Sequence, residues 1–264
     1  MDHQIITEKA HCDINSFKKE KALHQKGVHK YSTSVKIFAD GADLESIIKL
    51  AKDPGIQGFT TNPTLVRQAG IDDYWDFCMN TVNIVNGKPI SFEVLSDDLE
   101  EMERQAKLLS TLGPNVYIKI PVTNTSGIPT FPIIKNLTQA KIPVNVTGIC
   151  TLKQVEKSCE VVKNNKTIIS VFAGRIADTG RNPVPIMKKA KILCSNAGQD
   201  VELLWASPRE LLNIKQAEEV GCDIITLSPS ILKNLHRLNK DLETMSIETI
   251  QMFRKDVLLA GYRL

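Results

Sequence analysis

The 264-residue chain has no long apolar run, no Cys-x-x-Cys pair and almost no histidine in its main body, and each absence removes a class of protein. No window approaches the roughly 18 uninterrupted apolar residues of a membrane-spanning helix, and the start "MDHQIITEKAHCD" lacks the apolar core of a signal peptide. The expectation is a soluble, unsecreted protein with no membrane partner. Six cysteines (Cys12, Cys78, Cys150, Cys159, Cys194, Cys222) lie scattered, and a chain of this length needs no disulfide staples, so a reduced, cytoplasmic setting is expected. Thirty-three Lys and Arg against 30 Asp and Glu leave a formal charge of +3, too slight for nucleic-acid binding through a basic surface. A small anionic ligand needs only a local basic pocket.

Past His29 the sequence contains a single histidine, His236. That excludes a zinc-dependent aldolase with a histidine cluster and a Ser-His-Asp hydrolase, leaving acid-base work to carboxylates and a hydroxyl-bound water. His3, His11, His24 and His29 sit in the opening segment, at spacings that match no ligand motif. No metal site is expected.

What remains is ordinary globular composition, 42% hydrophobic and 24% charged, with a clear internal beat. Residues 1–34 are Lys- and His-rich with little apolar periodicity and read as a partly flexible leader with one exposed helix at most. From Val35, short β-branched runs alternate with amphipathic segments: "VKIFAD", "IQGFTT", "PISFEVL", "NVYIKIPV", "IPVNVTGI", "TIISVFAG", "VELLWAS" and "DIITLSP". Eight strand-helix units predict a closed α/β barrel, the (β/α)8 TIM barrel, over residues 35–264. An open doubly wound sheet more often has about five to seven strands, and no G-x-G-x-x-G follows the first strand. Asn62-Pro63 and Ser207-Pro208 read as helix N-caps with proline at N1, and Gly113, Gly198 and Gly221 as glycines just past helix ends. Pro129 and Pro132 predict a late or bent start to the fourth helix. The segment "SIETIQMFRKDVLLAGYRL" carries Ile247, Ile250, Phe253 and Val257 at helical spacing; it lies outside the eight units and could pack on its own barrel or on a neighbouring subunit.

In such barrels the chemistry sits at the C-terminal ends of the strands. Those ends carry Asp40, then Thr60-Thr61-Asn62, then Glu93, Lys119, Asn145 with Thr147, Ser170 with Arg175, and Ser207 with Arg209. Most have a plain structural reading. Asp40 and Asn62 could cap helices, Ser207-Pro208-Arg209-Glu210 fits a capping box, Thr147 is a β-branched strand residue, and Arg175 could pair with Asp178. Lys119 and Glu93 resist such readings, because both interrupt strands of the barrel layer. Alternation puts Tyr117 and Lys119 on one face of their strand. If that face is the interior, Lys119 is either a partner in an ion pair with Glu93 or Asp40, or an amine kept neutral to attack a carbonyl. Arg175, Ser207 and Arg209, near the place where barrels commonly bind phosphate, make a plausible phosphate site together with the N-terminus of the seventh helix.

The strings "FADGADLESI", "GFTTNPTL", "SFEV", "YIKIPVT", "VNVTGI", "SVFAGRI", "WASPRE" and "GCDIITLSPSIL" resemble, in order and spacing, the transaldolase family, which includes fructose-6-phosphate aldolase-like members. The resemblance runs from Val35 to the end of the chain. It implies that Lys119 is the Schiff-base lysine and Asp40 the proton-transfer residue. Glu93 and Thr147 would hold the water of imine chemistry. Thr61, Asn62, Asn145, Ser170 and Phe172 would face the substrate, and Arg175, Ser207 and Arg209 its phosphate. The implied reaction moves a dihydroxyacetone unit from a ketose phosphate to an aldose phosphate with no cofactor, in a homo-oligomer of the pentose phosphate pathway. Glu93 and Phe172 resemble the transaldolases more than the aldolase members, which tend to show Gln and Tyr there. A release of free dihydroxyacetone, or a pathway-specific transaldolase making an unusual sugar phosphate, are the alternatives.

Overall fold

A computed structural model describes residue 31 and residues 33–263. Eight parallel strands, β1 (Lys36–Asp40), β2 (Gly58–Thr60), β3 (Ile90–Glu93), β4 (Val116–Pro121), β5 (Val144–Ile149), β6 (Thr167–Val171), β7 (Val201–Trp205) and β8 (Ile224–Leu227), follow one another around a closed barrel in which β8 pairs with β1. This is the TIM barrel the strand-helix beat predicts. The strands read as near-continuous apolar runs because both their faces are covered. Ile37, Phe59, Phe92, Ile118, Val146, Ile169, Leu203 and Ile225 point outward into the core shared with the helices. Phe38, Tyr117, Ile168, Leu204 and Ile224 point inward and fill the barrel below its mouth. Gly58 is required by this filling, since a Cβ there would lie 2.4 Å from the ring of Phe38.

The surrounding helices are α1 (Leu44–Ala51), α2 (Pro63–Gln68), α3 (Tyr74–Val85), α4 (Leu99–Ser110), α5 (Phe131–Gln139), α6 (Leu152–Val162), α7 (Ala173–Asp178), α8 (Val184–Ala197), α9 (Leu212–Glu219), α10 (Pro229–Leu232) and α11 (Leu242–Ala260). Asp43 caps α1 by accepting from the Ser46 amide at 2.8 Å, which leaves Asp40 free of that duty. Asn62 caps α2, and Thr151 with Gln154 forms a capping box on α6. The chain between β4 and α5 makes a small excursion closed by an antiparallel bridge from Thr123 to Pro129, so α5 starts late, with Pro132 in its first turn.

Two expectations about helix ends and one about an ion pair need correction. Ser207-Pro208 opens no helix: α9 begins at Leu212, and the turn before it is held by Asn213 Oδ1, which accepts from the Arg209 and Glu210 amides at 2.7 and 3.2 Å. Gly113 lies beyond the Thr111 cap of α4, and Gly198 is itself the cap of α8, so Gly221 alone of the three follows its cap in a left-handed turn (φ 71°). Asp178 pairs with Arg209, not with Arg175.

The leader to residue 30, with Cys12 and four of the histidines, lies outside the described residues. Just before β1, Tyr31 donates to Asp53 at 2.8 Å and Ser34 donates to Glu218 through its amide and hydroxyl, while Thr33 and Val35 are buried. At the other end α11 does not pack on its own barrel. None of its residues is buried, and Ile247, Ile250, Phe253 and Leu258 are more than half exposed.

Candidate active site

A cavity of about 560 Å³ opens at the C-terminal mouth of the barrel. Its wall is built from strand ends that alternation turns inward, and the polar residues singled out above meet there. Lys119 projects into it from β4 at 6% exposure, and its Nζ lies 3.0 Å from Glu93 Oε2 and 2.8 Å from the Thr61 carbonyl oxygen. β3 and β4 place these two side chains opposite each other by register, Glu93 beside Lys119. Tyr74 Oη donates to the Glu93 carbonyl at 2.9 Å and fixes that strand end.

Asp40 enters the same cavity from β1. Burial pushes its carboxyl above the ordinary carboxylate value; the Lys119 ammonium and the Thr60 hydroxyl pull it back, and Glu93 adds to the rise. Thr60 Oγ1 donates to Asp40 Oδ1 at 2.8 Å and lies 2.6 Å from Thr226 Oγ1.

β5 and β6 contribute a rigid polar wall. Ser170 donates to Asn145 Oδ1 at 2.6 Å, and Asn145 Nδ2 donates to Ser91 Oγ at 3.0 Å, so the buried amide of Asn145 has a fixed orientation. Thr147 lies two residues further along β5 on the same face, and among the described residues its buried hydroxyl has no hydrogen-bond partner. A buried, unpaired hydroxyl on a cavity wall is suited to a ligand or water.

Phe172, Arg175 and Ser207 line the cavity from the loops that follow β6 and β7. Ser207 adopts φ 57°, an uncommon conformation for a residue with a Cβ. Gly174 explains how the two loops approach: a Cβ there would fall 1.6 Å from the Ser207 carbonyl oxygen and 3.2 Å from Arg209 Nε.

Two residues expected at the site stand aside from it. The Thr61 side chain is fully buried away from the cavity, donating to the Ser91 carbonyl at 3.1 Å, and only its backbone oxygen meets Lys119. The Arg209 guanidinium sits behind the Ser207 turn in a bidentate pair with Asp178, outside the cavity wall. Thr60 stands among the polar strand ends but is given no role by the sequence, and Ser91, Tyr74 and Thr226 do not stand out in it. Each is a good strand or helix residue in its own right, and the inward register of the threonines is the one signal that separates them from neighbours. Among the described residues, no group of three or more His, Cys, Asp or Glu could hold a metal ion.

Residues 37–260 match the sequence profile of the family described as Transaldolase/Fructose-6-phosphate aldolase. A protein of Chelativorans sp. (strain BNC1) described as a probable transaldolase is 34% identical over 201 residues, 76% of this chain and 88% of its own. Another so described, from Carboxydothermus hydrogenoformans, is 35% identical over 201 residues, 76% and 90% of the two chains. Among solved structures, dihydrodipicolinate synthase from Rhodopseudomonas palustris superposes with a TM-score of 0.52 at 12% identity, covering 81% of this chain and 79% of that one, a likeness of barrel fold alone. The ordered strand motifs, the lysine at the mouth of the barrel and the profile match over nearly the whole barrel agree, and the chain belongs to the transaldolase/fructose-6-phosphate aldolase family.

Proposed function

We propose that the protein transfers a dihydroxyacetone unit from a ketose phosphate, of the sedoheptulose 7-phosphate or fructose 6-phosphate type, to an aldose phosphate through a Schiff base on Lys119. The observation that carries this reading is the buried contact of Lys119 with Glu93, with Asp40 in the same cavity. An ammonium is no nucleophile, and Glu93 is placed to take its proton as a ketose carbonyl arrives. The freed amine adds to the carbonyl carbon, and the carbinolamine loses water to give the iminium. Glu93 and the unpaired Thr147 hydroxyl are the groups suited to handle that water. Asp40 then accepts the proton of the hydroxyl on the far side of the bond to be broken. As that oxygen becomes an aldehyde, the bonding pair moves into the iminium and leaves an enamine on Lys119. The aldose phosphate departs, a second aldehyde takes its place, and Asp40 returns the proton as the new carbon–carbon bond forms. Hydrolysis of the iminium restores Lys119. The steps so written require no metal or organic cofactor.

A phosphorylated substrate is supported by Arg175 and Ser207, which line the same cavity as Lys119. Phe172 supports transfer over simple release, because its ring lines the cavity and adds no further proton donor there. The exposed apolar residues of α11 support a homo-oligomer assembled through this helix, and four buried free thiols suit a reducing compartment such as the cytoplasm.

The test is product formation from fructose 6-phosphate with and without an aldose-phosphate acceptor. Transfer predicts a new ketose phosphate only with the acceptor and little free dihydroxyacetone without it. Steady acceptor-independent release identifies an aldolase, and no turnover of any ketose phosphate overturns the reading.

A further inference from the structure

Among the described residues the Asp40 carboxyl accepts a hydrogen bond from one side chain, Thr60, and that neighbour is itself held by another hydroxyl. Thr60 Oγ1 lies 2.8 Å from Asp40 Oδ1 and 2.6 Å from Thr226 Oγ1. The three residues come from β1, β2 and β8, which are adjacent in the closed barrel, and both threonines are nearly inaccessible, at 3% and 6%. All three line the cavity.

A hydroxyl carries a single proton, and this fixes the direction of the chain. While Asp40 is a carboxylate it can only accept, so the Thr60 proton must point at Asp40. The contact between the two threonines can then be a hydrogen bond only if Thr226 donates to Thr60. We propose that Thr226 is a positioning residue for the proton-transfer carboxylate: by donating to Thr60 it commits the Thr60 proton to Asp40 and holds the carboxylate ionised and correctly aimed for the substrate hydroxyl. The proposal rests on the role of Asp40 given above. The charged groups that share the cavity are Glu93 from β3, Lys119 from β4 and Arg175 from α7; β2 and β8 face Asp40 with the two hydroxyls. Chains of hydrogen bonds strengthen one another in such surroundings, so removal of the outer member weakens the inner bond.

The test compares Thr226→Val, Thr226→Ser, Thr60→Val and the Thr60→Val/Thr226→Val double variant in the transfer assay, each checked for a native melting transition. Thr226→Val is expected to lower kcat by about fivefold to tenfold with KM within about twofold, the signature of an interaction used in the chemical step. Thr226→Ser keeps the hydroxyl and restores kcat. Thr60→Val raises the acid limb of the kcat/KM profile, because the carboxylate loses its donor, and Thr226→Val raises it by less. In the double variant, loss of Thr226 adds nothing to loss of Thr60. Should Thr226→Val fail to fold, Thr226→Ala against Thr226→Ser is read the same way. Wild-type kcat and pH profile in Thr226→Val, or independent additive losses in the double variant, overturn the proposal. Borohydride trapping of the ketose on Lys119 does not depend on Asp40, so a failure of trapping in the wild type overturns the Schiff-base reading instead.

Discussion

Lys119 and Glu93 form a buried ion pair across adjacent strands, Nζ to Oε2 at 3.0 Å, with the two side chains 8% and 16% exposed. Alternation turns both into the barrel, and the register of β3 on β4 sets them side by side. A pair of this kind is weak evidence of stability in itself, yet removal of one partner strands the other's charge. Glu93→Ala is therefore expected to destabilise the fold by about 3 kcal/mol, and Glu93→Ala/Lys119→Met to recover most of that loss. Chemical denaturation of the two variants measures it.

The carboxyl of Asp40 is raised above 3.8, chiefly by burial. Because the folded value exceeds the unfolded one, the folded state holds this proton more tightly, and the associated stabilisation fades as pH rises through the folded value. Two results are expected. The acid limb of kcat/KM lies above the ordinary carboxylate range, since Asp40 must be ionised to accept a proton. Asp40→Asn loses turnover yet melts higher than the wild type at neutral pH, because it removes a buried carboxylate. A pH-rate series and thermal melts report both.

In the proposed reaction Arg175 and Ser207 hold the substrate phosphate, and the loops that carry them approach closely at Gly174. Gly174→Ala must push the Ser207 turn away, because the new Cβ would meet its carbonyl oxygen at 1.6 Å. KM for ketose phosphates is expected to rise about tenfold or more in both Gly174→Ala and Arg175→Ala, while transfer from an unphosphorylated ketose changes little. Steady-state kinetics with fructose and fructose 6-phosphate make the comparison.

How much of this is legible in the sequence depends on the kind of residue. The eight strands are, because buried parallel strands read as apolar runs and their polar ends stand out; Lys119, Glu93 and Asp40 are conspicuous for that reason. Thr226 is not, since threonine is unremarkable in a strand and its place beside Thr60 comes from the register of β8, β1 and β2. Ser207-Pro208 has the form of a helix cap, but the tertiary contact with Gly174 and the grip of Asn213 override that local preference. Asp178 lies 31 residues from Arg209, so the pair that draws the arginine from the cavity leaves no local signal.

The 19 residues of α11 expose Ile247, Ile250, Phe253, Leu258 and Leu259, an apolar surface unusual for a helix left in solvent. Deletion of residues 242–264 is expected to lower the oligomeric state while leaving the barrel's cooperative unfolding intact. Sedimentation of the full and shortened chains, followed by melting, decides it; an unchanged mass contradicts assembly through α11.

Borohydride reduction in the presence of fructose 6-phosphate, followed by peptide mass mapping, shows whether Lys119 forms a Schiff base. A reduced ketose-derived adduct is expected on Lys119 in the wild type and none in Lys119→Met. A wild-type protein that turns the substrate over and yields no adduct, or carries it on another lysine, rules out the Schiff base at Lys119.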